Sequence, residues 1–284
     1  MVTQTFEYSA PKTLSEALTL LGKGGKPLAG GMSLIPMMKL RLATPEHLVD
    51  LGRVPDLDYI REDQDGIHVG ATATHHSVET SALLLAKCPL LPQTVGSIGD
   101  AQVRNRGTIG GSVAHADPAA DYPAALQALE ATIVIAGGKG ERRVGAGDFF
   151  LEAFTTALEE GEIVREIIVP VEASDTGTHY QKMQHPASGF AVVGIAVRVR
   201  RDGGKIAMAR IGITGVANIA YRATAAEKAL EGSAGSADDI KKAASLAVHG
   251  IEANGDLHAS ANYRAHLAAV YTARSLTAAL KGNA

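Results

Sequence analysis

The sequence predicts an α+β protein in three successive units, residues 1–56, 57–175 and 176–284. A small β-α-β-type pattern fills the first unit, and two hairpin signatures bracket helical patterns in the second. The third pairs strand-like segments with an Ala-rich helical tail.

Each element has its own signal. Thr13 and Glu16 in "TLSEALTLLG" stand at capping-box spacing before an apolar run, and Gly22 is placed to end that helix. "KPLAG" reads as a strand, the following glycines as a turn, and "EHLVDL" as a second strand. "LDYIREDQDGIHVGA" is a hairpin around a polar turn, and helical spacing continues over residues 74–87. "ATIVIAGGKGERRVG" is another hairpin, "EIVREIIVP" a strand, and Pro170 a boundary. Beyond it "HYQKMQ", "FAVVGIAVRVRR" and "KIAMARIGITGV" predict an antiparallel sheet. Three helices are expected over 222–281, in "YRATAAEKALEG", "SADDIKKAASLAVHGIEA" and "YRAHLAAVYTARSLTAAL".

Composition excludes several function classes. With 284 residues, 46% of them hydrophobic, the chain can bury a large core. A formal charge of −3 with dispersed ionic residues offers nucleic acid no field. No apolar run approaches the ~20 residues that cross a bilayer. The cytoplasm is the expected address, peripheral attachment at the inner membrane face included. Cys88 is the single cysteine, so this chain alone forms no disulfide and no Cys-rich zinc or iron–sulfur site. His75 and His76 cannot both face one metal from a strand, and H-E-x-x-H is absent.

Two stretches carry chemistry. "PLAGGMSLIPMMKLR" and "RGTIGGSVAHADPAADYPAAL" each set adjacent glycines before a hydroxyl residue. Paired glycines let backbone N–H groups approach an anion, and two such loops can clamp a diphosphate from both sides. Either loop alone reads first as an ordinary turn, with Ser33 capping a helix that begins near Leu34. Asp117 before Pro118 reads as a helix start, with Asp121 one turn on, free to accept from ligand hydroxyls or to favour the positive helix end. Met32, Met37 and Met38 are expected as core filler, and Lys39, Arg41, Arg104 and Arg106 as surface.

On these residues the chain resembles the FAD-binding medium subunits of molybdenum hydroxylases, the carbon monoxide dehydrogenase and xanthine dehydrogenase family. "AGGMSLIPMMKLRLATPEHLVDL" and "RGTIGGSVAHADPAADYPAAL" carry the likeness, which extends over nearly the whole chain. The resemblance implies a two-subdomain FAD-binding domain of the vanillyl-alcohol-oxidase (PCMH) type, followed by a smaller domain of antiparallel sheet plus three helices. It implies a first FAD loop at Ala29, Gly30, Gly31, Met32 and Ser33 and a second at Thr108, Ile109, Gly110, Gly111 and Ser112. It further implies contacts from Asp121, from apolar Ile98 and Val164, from Lys182, and from Phe190 beside the flavin ring. Phe190 stands where relatives often carry a phenol, and Met32 where they often carry His or Gln. No metal ligand and no catalytic side chain is expected.

The function implied is an FAD-dependent electron-transfer oxidoreductase subunit. Iron–sulfur clusters and molybdopterin then belong to partner chains, a small and a large subunit in a dimer of heterotrimers, and an external acceptor takes the electrons. Two alternatives make different demands. A self-contained FAD oxidase of the same fold needs a substrate cavity and a base at the flavin, often with a covalent His or Cys link. A non-enzymatic binding module needs no flavin at all.

Overall fold

The computed structural model describes residues 2–281. The first layer holds β1 (Glu7–Ser9), α1 (Leu14–Leu21), β2 (Lys26–Leu28), α2 (Leu34–Lys39) and β3 (His47–Asp50). Its strands run parallel in the order β1-β3-β2. Thr13 caps α1 by accepting from the Glu16 N–H, and Glu16 accepts in return from Lys12 N–H, one residue before the cap. Ala17 and Leu21 of this helix pack with Val49, Leu51 and Leu57. Strand β1 escaped the sequence reading because three mostly exposed residues have no apolar alternation to display.

The second layer begins with β4 (Ile60–Asp63) and β5 (Gly66–Gly70). Six short helices follow: α3 (His75–Thr80), α4 (Ala82–Lys87), α5 (Leu90–Val95), α6 (Ala101–Arg106), α7 (Ile109–His115) and α8 (Tyr122–Leu129). Then come β6 (Thr132–Gly137), β7 (Gly140–Gly145), α9 (Ala146–Phe149), the small pair β8 (Phe150–Glu152) and β9 (Thr155–Thr156), and β10 (Ile163–Val169). The five long strands pair antiparallel in the order β4-β5-β10-β6-β7. Ile67, Val69, Ile133, Ile135 and Ile167 point from this sheet into one core with the helices. The helical stretch expected over 74–87 divides at Ser81, whose hydroxyl caps α4 while its extended backbone ends α3.

The third layer is the antiparallel sheet β11 (Thr176–Gln184), β12 (Ala191–Asp202), β13 (Lys205–Thr214) and β14 (Tyr221–Arg222), with α10 (Thr224–Leu230), α11 (Ala237–Ala244) and α12 (Ala261–Lys281). Val193, Ile195, Val197 and Val199 of β12 face these helices, whereas Ala196 and Tyr180 join the core of the second layer. The middle helix is shorter than the sequence pattern suggests. Its i,i+4 bonding gives way to tight turns after Ala244, and Gly250 adopts φ +74°.

Helix α8 ties the second layer to the third. Every one of its residues is buried. It lies on β12 and β13, where a Cβ on Gly212 would stand 1.9 Å from the Ala124 carbonyl oxygen. Only a glycine permits that approach. No helix among the described residues is long and apolar enough to cross a membrane.

Candidate functional site

The first glycine stretch links β2 to α2. Among the described residues, none accepts a hydrogen bond from the backbone N–H groups of Ala29, Gly30, Gly31, Met32 or Ser33. Gly31 is left-handed at φ +74° and Ser33 lies in the right-handed region, a succession that aims N–H groups into a concavity. Ser33 stands at the cap position of α2 but makes no capping bond. A row of half-exposed donors with no acceptor in the protein is open to a ligand, and an anionic diphosphate fits it.

The second stretch is brought against the first, but in another form from that expected. A Cβ on Gly30 would meet the Arg106 carbonyl oxygen at 2.1 Å and Gly107 Cα at 2.7 Å, so the two backbones touch there. "TIGGS" is no loop; it is the cap and first turn of α7. Thr108 Oγ1 accepts from Gly111 N–H at 3.2 Å, while the Ile109 and Gly110 N–H groups bond the Ala73 and Ala71 carbonyls. Of the N–H groups expected to meet a ligand here, those of Ile109, Gly110, Gly111 and Ser112 are therefore engaged within the protein. Gly110 is needed for packing, since its Cβ would stand 2.4 Å from that of Ala71. Gly111 stays exposed opposite Ala29, where a Cβ on it would lie 4.0 Å from the Ala29 Cβ. No described residue bonds the Ser112 hydroxyl, so a ligand could take it.

His75 supports this junction from below, a role the sequence does not signal. Its N–H bonds the Gly107 carbonyl at 2.8 Å and its Nδ1 lies 3.2 Å from the Tyr122 hydroxyl. Burial, then the neighbouring Arg104 charge, holds its pKa down to about 4, so the ring is neutral at pH 7. Arg104 is not the free surface residue expected: its Nε bonds Glu79 at 2.8 Å and its Nη1 the Ile98 carbonyl at 2.9 Å. Met32 is likewise no core filler, being 40% exposed, although Met38 is buried.

The other site residues gather around the turn between β11 and β12. Asp121 is only 4% exposed. Its Oδ1 accepts from the Tyr180 hydroxyl at 2.5 Å, and Lys182 Nζ stands 3.0 Å from both carboxylate oxygens. Burial pushes the Asp121 carboxyl upward, and Lys182 and Tyr180 oppose that rise. Lys182 also donates to the Gly189 carbonyl at 2.7 Å. Gly189, at φ +75°, backs onto Gly99, so Ile98–Gly99 and Gly189–Phe190 are neighbours. Phe190 presents a ring that is 42% exposed. The helix expected to start at Asp117 and carry Asp121 one turn on does not form. Ala116 ends α7 in the left-handed region, Asp117 then accepts from Ala119 N–H in a turn, and α8 starts only at Tyr122. Val164 pairs with Ile135 inside the core at 4% exposure and offers no open side-chain surface.

Two rails join the ends of this site. Helix α6 starts beside Gly99 and ends at Arg106 against Gly30, a span of about 9 Å at 1.5 Å per residue. Helix α7 starts beside Ala29, and the turn after it bonds Ala191 N–H through the Ala119 carbonyl. The backbones of α6 and α7 thus connect Ala29–Ser33 with the Gly189–Phe190 turn. The outer face of the second sheet holds a separate polar recess of about 690 Å³. Its charges pair among themselves, as in Arg143–Asp65 and Arg165–Glu141.

Comparison with known proteins identifies the family. Residues 4–172 match the family described as "FAD binding domain in molybdopterin dehydrogenase". Residues 178–279 match "CO dehydrogenase flavoprotein C-terminal domain". The carbon monoxide dehydrogenase medium chain of Hydrogenophaga pseudoflava is 42% identical over 98% of each chain. The glyceraldehyde dehydrogenase medium chain of Sulfolobus acidocaldarius is 36% identical, over 95% of this chain and 96% of that one. A solved structure of the Hydrogenophaga pseudoflava carbon monoxide dehydrogenase, one lacking the Mo-pyranopterin moiety of its molybdenum cofactor, superposes at a TM-score of 0.96 with 44% identity and 99% coverage of both chains. The chain belongs to the FAD-binding medium subunits of the molybdenum hydroxylases, electron-transfer oxidoreductase subunits that act within multi-subunit complexes.

Proposed function

We propose that Ala29–Ser33 holds the FAD diphosphate, that Gly111 and Ser112 of α7 close on it from the opposite side, and that the isoalloxazine ring extends toward Phe190. The row of N–H groups without acceptors carries this reading. Bound FAD would supply the chemistry the chain lacks, taking electrons singly and passing them on singly or as a pair. The residues themselves bind and orient. Gly31 shapes the nest, the Ser33 hydroxyl is left over for a phosphate oxygen, and Phe190 gives the ring an apolar face without a hydrogen-bond donor. Lys182, tied to Asp121, keeps a cation beneath the turn that carries Phe190.

Electrons reach this site from elsewhere. A lone buried Cys88 cannot hold an iron–sulfur cluster, so an iron–sulfur small subunit and a molybdopterin large subunit complete the assembly, proposed as a dimer of heterotrimers. The oxidised substrate is bound by the large subunit, and an external acceptor discharges the flavin. The carbon monoxide and glyceraldehyde enzymes named above carry medium chains of similar length, which supports a substrate choice made outside this chain. A self-contained oxidase with a flavin-linked histidine finds little support. His115 lies at the far end of α7 from the cradle, with its ring against Phe154.

Flavin content tests the reading. A β-branched side chain at Gly111 would crowd the cap, where even a Cβ stands 2.8 Å from Thr108 Oγ1. Purified Gly111→Val complex should keep its partner chains and lose FAD. Flavin at the wild-type level would remove the diphosphate from this cradle.

A further inference from the structure

Tyr180 is singled out by no sequence signal, yet it is a buried member of the polar group at the flavin end, alongside Asp121 and Lys182. It is 6% exposed on β11. Its hydroxyl has a purpose-made space, because Gly194 on the neighbouring strand β12 would bring a Cβ within 2.5 Å of the phenol oxygen. The hydroxyl donates to Asp121 Oδ1, Asp121 holds Lys182 Nζ at 3.0 Å, and Lys182 donates to the Gly189 carbonyl. Four groups on three chain segments are thus joined, and the last sits beside Phe190. Burial gives every link weight, since a carboxylate oxygen deprived of a donor in this setting favours taking up a proton.

We propose that Tyr180 is a positioning residue of the flavin site: its hydroxyl fixes the Asp121 carboxylate as the counter-charge of Lys182 and so sets the net charge beneath the Gly189–Phe190 turn. The inference rests on the proposed placement of the ring beside Phe190. Removing the hydroxyl leaves Asp121 one donor short, and protonation there exposes the Lys182 charge without its partner. A less compensated cation stabilises the electron-rich, reduced flavin.

The test is the flavin reduction potential of the intact complex carrying Tyr180→Phe, read beside its FAD content. The expected result is full FAD content and an upward shift. At least a tenfold change toward the reduced form is expected, about 30 mV for two electrons. Unchanged or lowered potential with FAD retained overturns the proposal, as does loss of FAD, which would make Tyr180 a structural residue alone. Should Tyr180→Phe fail to fold, Gly194→Ala displaces the phenol without deleting it and should move the potential in the same direction. Phe190→Leu separates the two readings. If that variant leaves both flavin absorption and potential unchanged, the ring placement fails, whatever Tyr180→Phe does.

Discussion

Gly31→Ala puts the cradle to its most direct trial. Gly31 sits at φ +74°, where an L-residue costs roughly 1–2 kcal/mol. Its new Cβ would stand 2.7 Å from Ile35 Cδ1, the end of a flexible side chain that can turn aside for about 0.5–1.5 kcal/mol. The substitution is therefore strained but tolerable, on the order of 2–3 kcal/mol. Where that strain falls separates the hypotheses. If the N–H row is held in its concave form by a bound diphosphate, the FAD-free segment relaxes and the penalty appears in binding. FAD should then dissociate about 30- to 150-fold more readily, at tenfold per 1.4 kcal/mol. Titrating FAD into the flavin-depleted complex, alongside its thermal unfolding, measures both quantities. A lowered melting temperature with FAD affinity within twofold of wild type would refute the reasoning, because the strain would then belong to the fold. Gly30→Ala is the harsher comparison, since its obstacle is the fixed Arg106 carbonyl.

Three further outcomes follow from buried groups. His75 is held down to about 4 when folded, against about 6.5 unfolded, so the unfolded chain binds a proton that the folded one refuses. Its contribution is whole above pH 6.5 and is lost as pH falls toward 4. Urea unfolding should lose about 3 kcal/mol more over that window than a His75→Gln variant does; parallel curves would contradict the assignment. Cys88 is buried, and burial pushes its thiol up to about 12, so alkylating reagents should leave it untouched until denaturant is added. Labelling of the native protein would contradict that. Gly212→Ala drives a Cβ toward the Ala124 carbonyl and should cost about 1–3 kcal/mol of stability, read as a lower melting temperature without loss of secondary structure.

Much of this architecture is written in local signals. The capped helix at Thr13, the hairpins β4–β5 and β6–β7, and the three long C-terminal strands announce themselves through caps, turns and alternation within a few residues. Misread elements lack such signals. The Asp117–Pro118 dipeptide is a sound helix start in isolation, but the contacts of Pro118 and Ala120 carbonyls with Thr214 hold it as a turn. The glycine motifs show the same division. Their pairing across the fold was readable, yet "TIGGS" looks identical whether its N–H groups face a ligand or the Ala71 and Ala73 carbonyls. The roles of His75, Arg104 and Tyr180 were not legible because the Tyr122, Glu79 and Asp121 partners that define them lie 25 to 59 positions away in the chain.

Helix α8 carries one more consequence. By chain order it belongs with the residues before 130, but its packing belongs equally to the sheet that begins at Thr176. The connector at 173–175 is exposed, so a protease can reach it. Cutting there should yield two polypeptides that migrate together until denatured. The two halves are divisible as covalent chains, and inseparable as folded bodies.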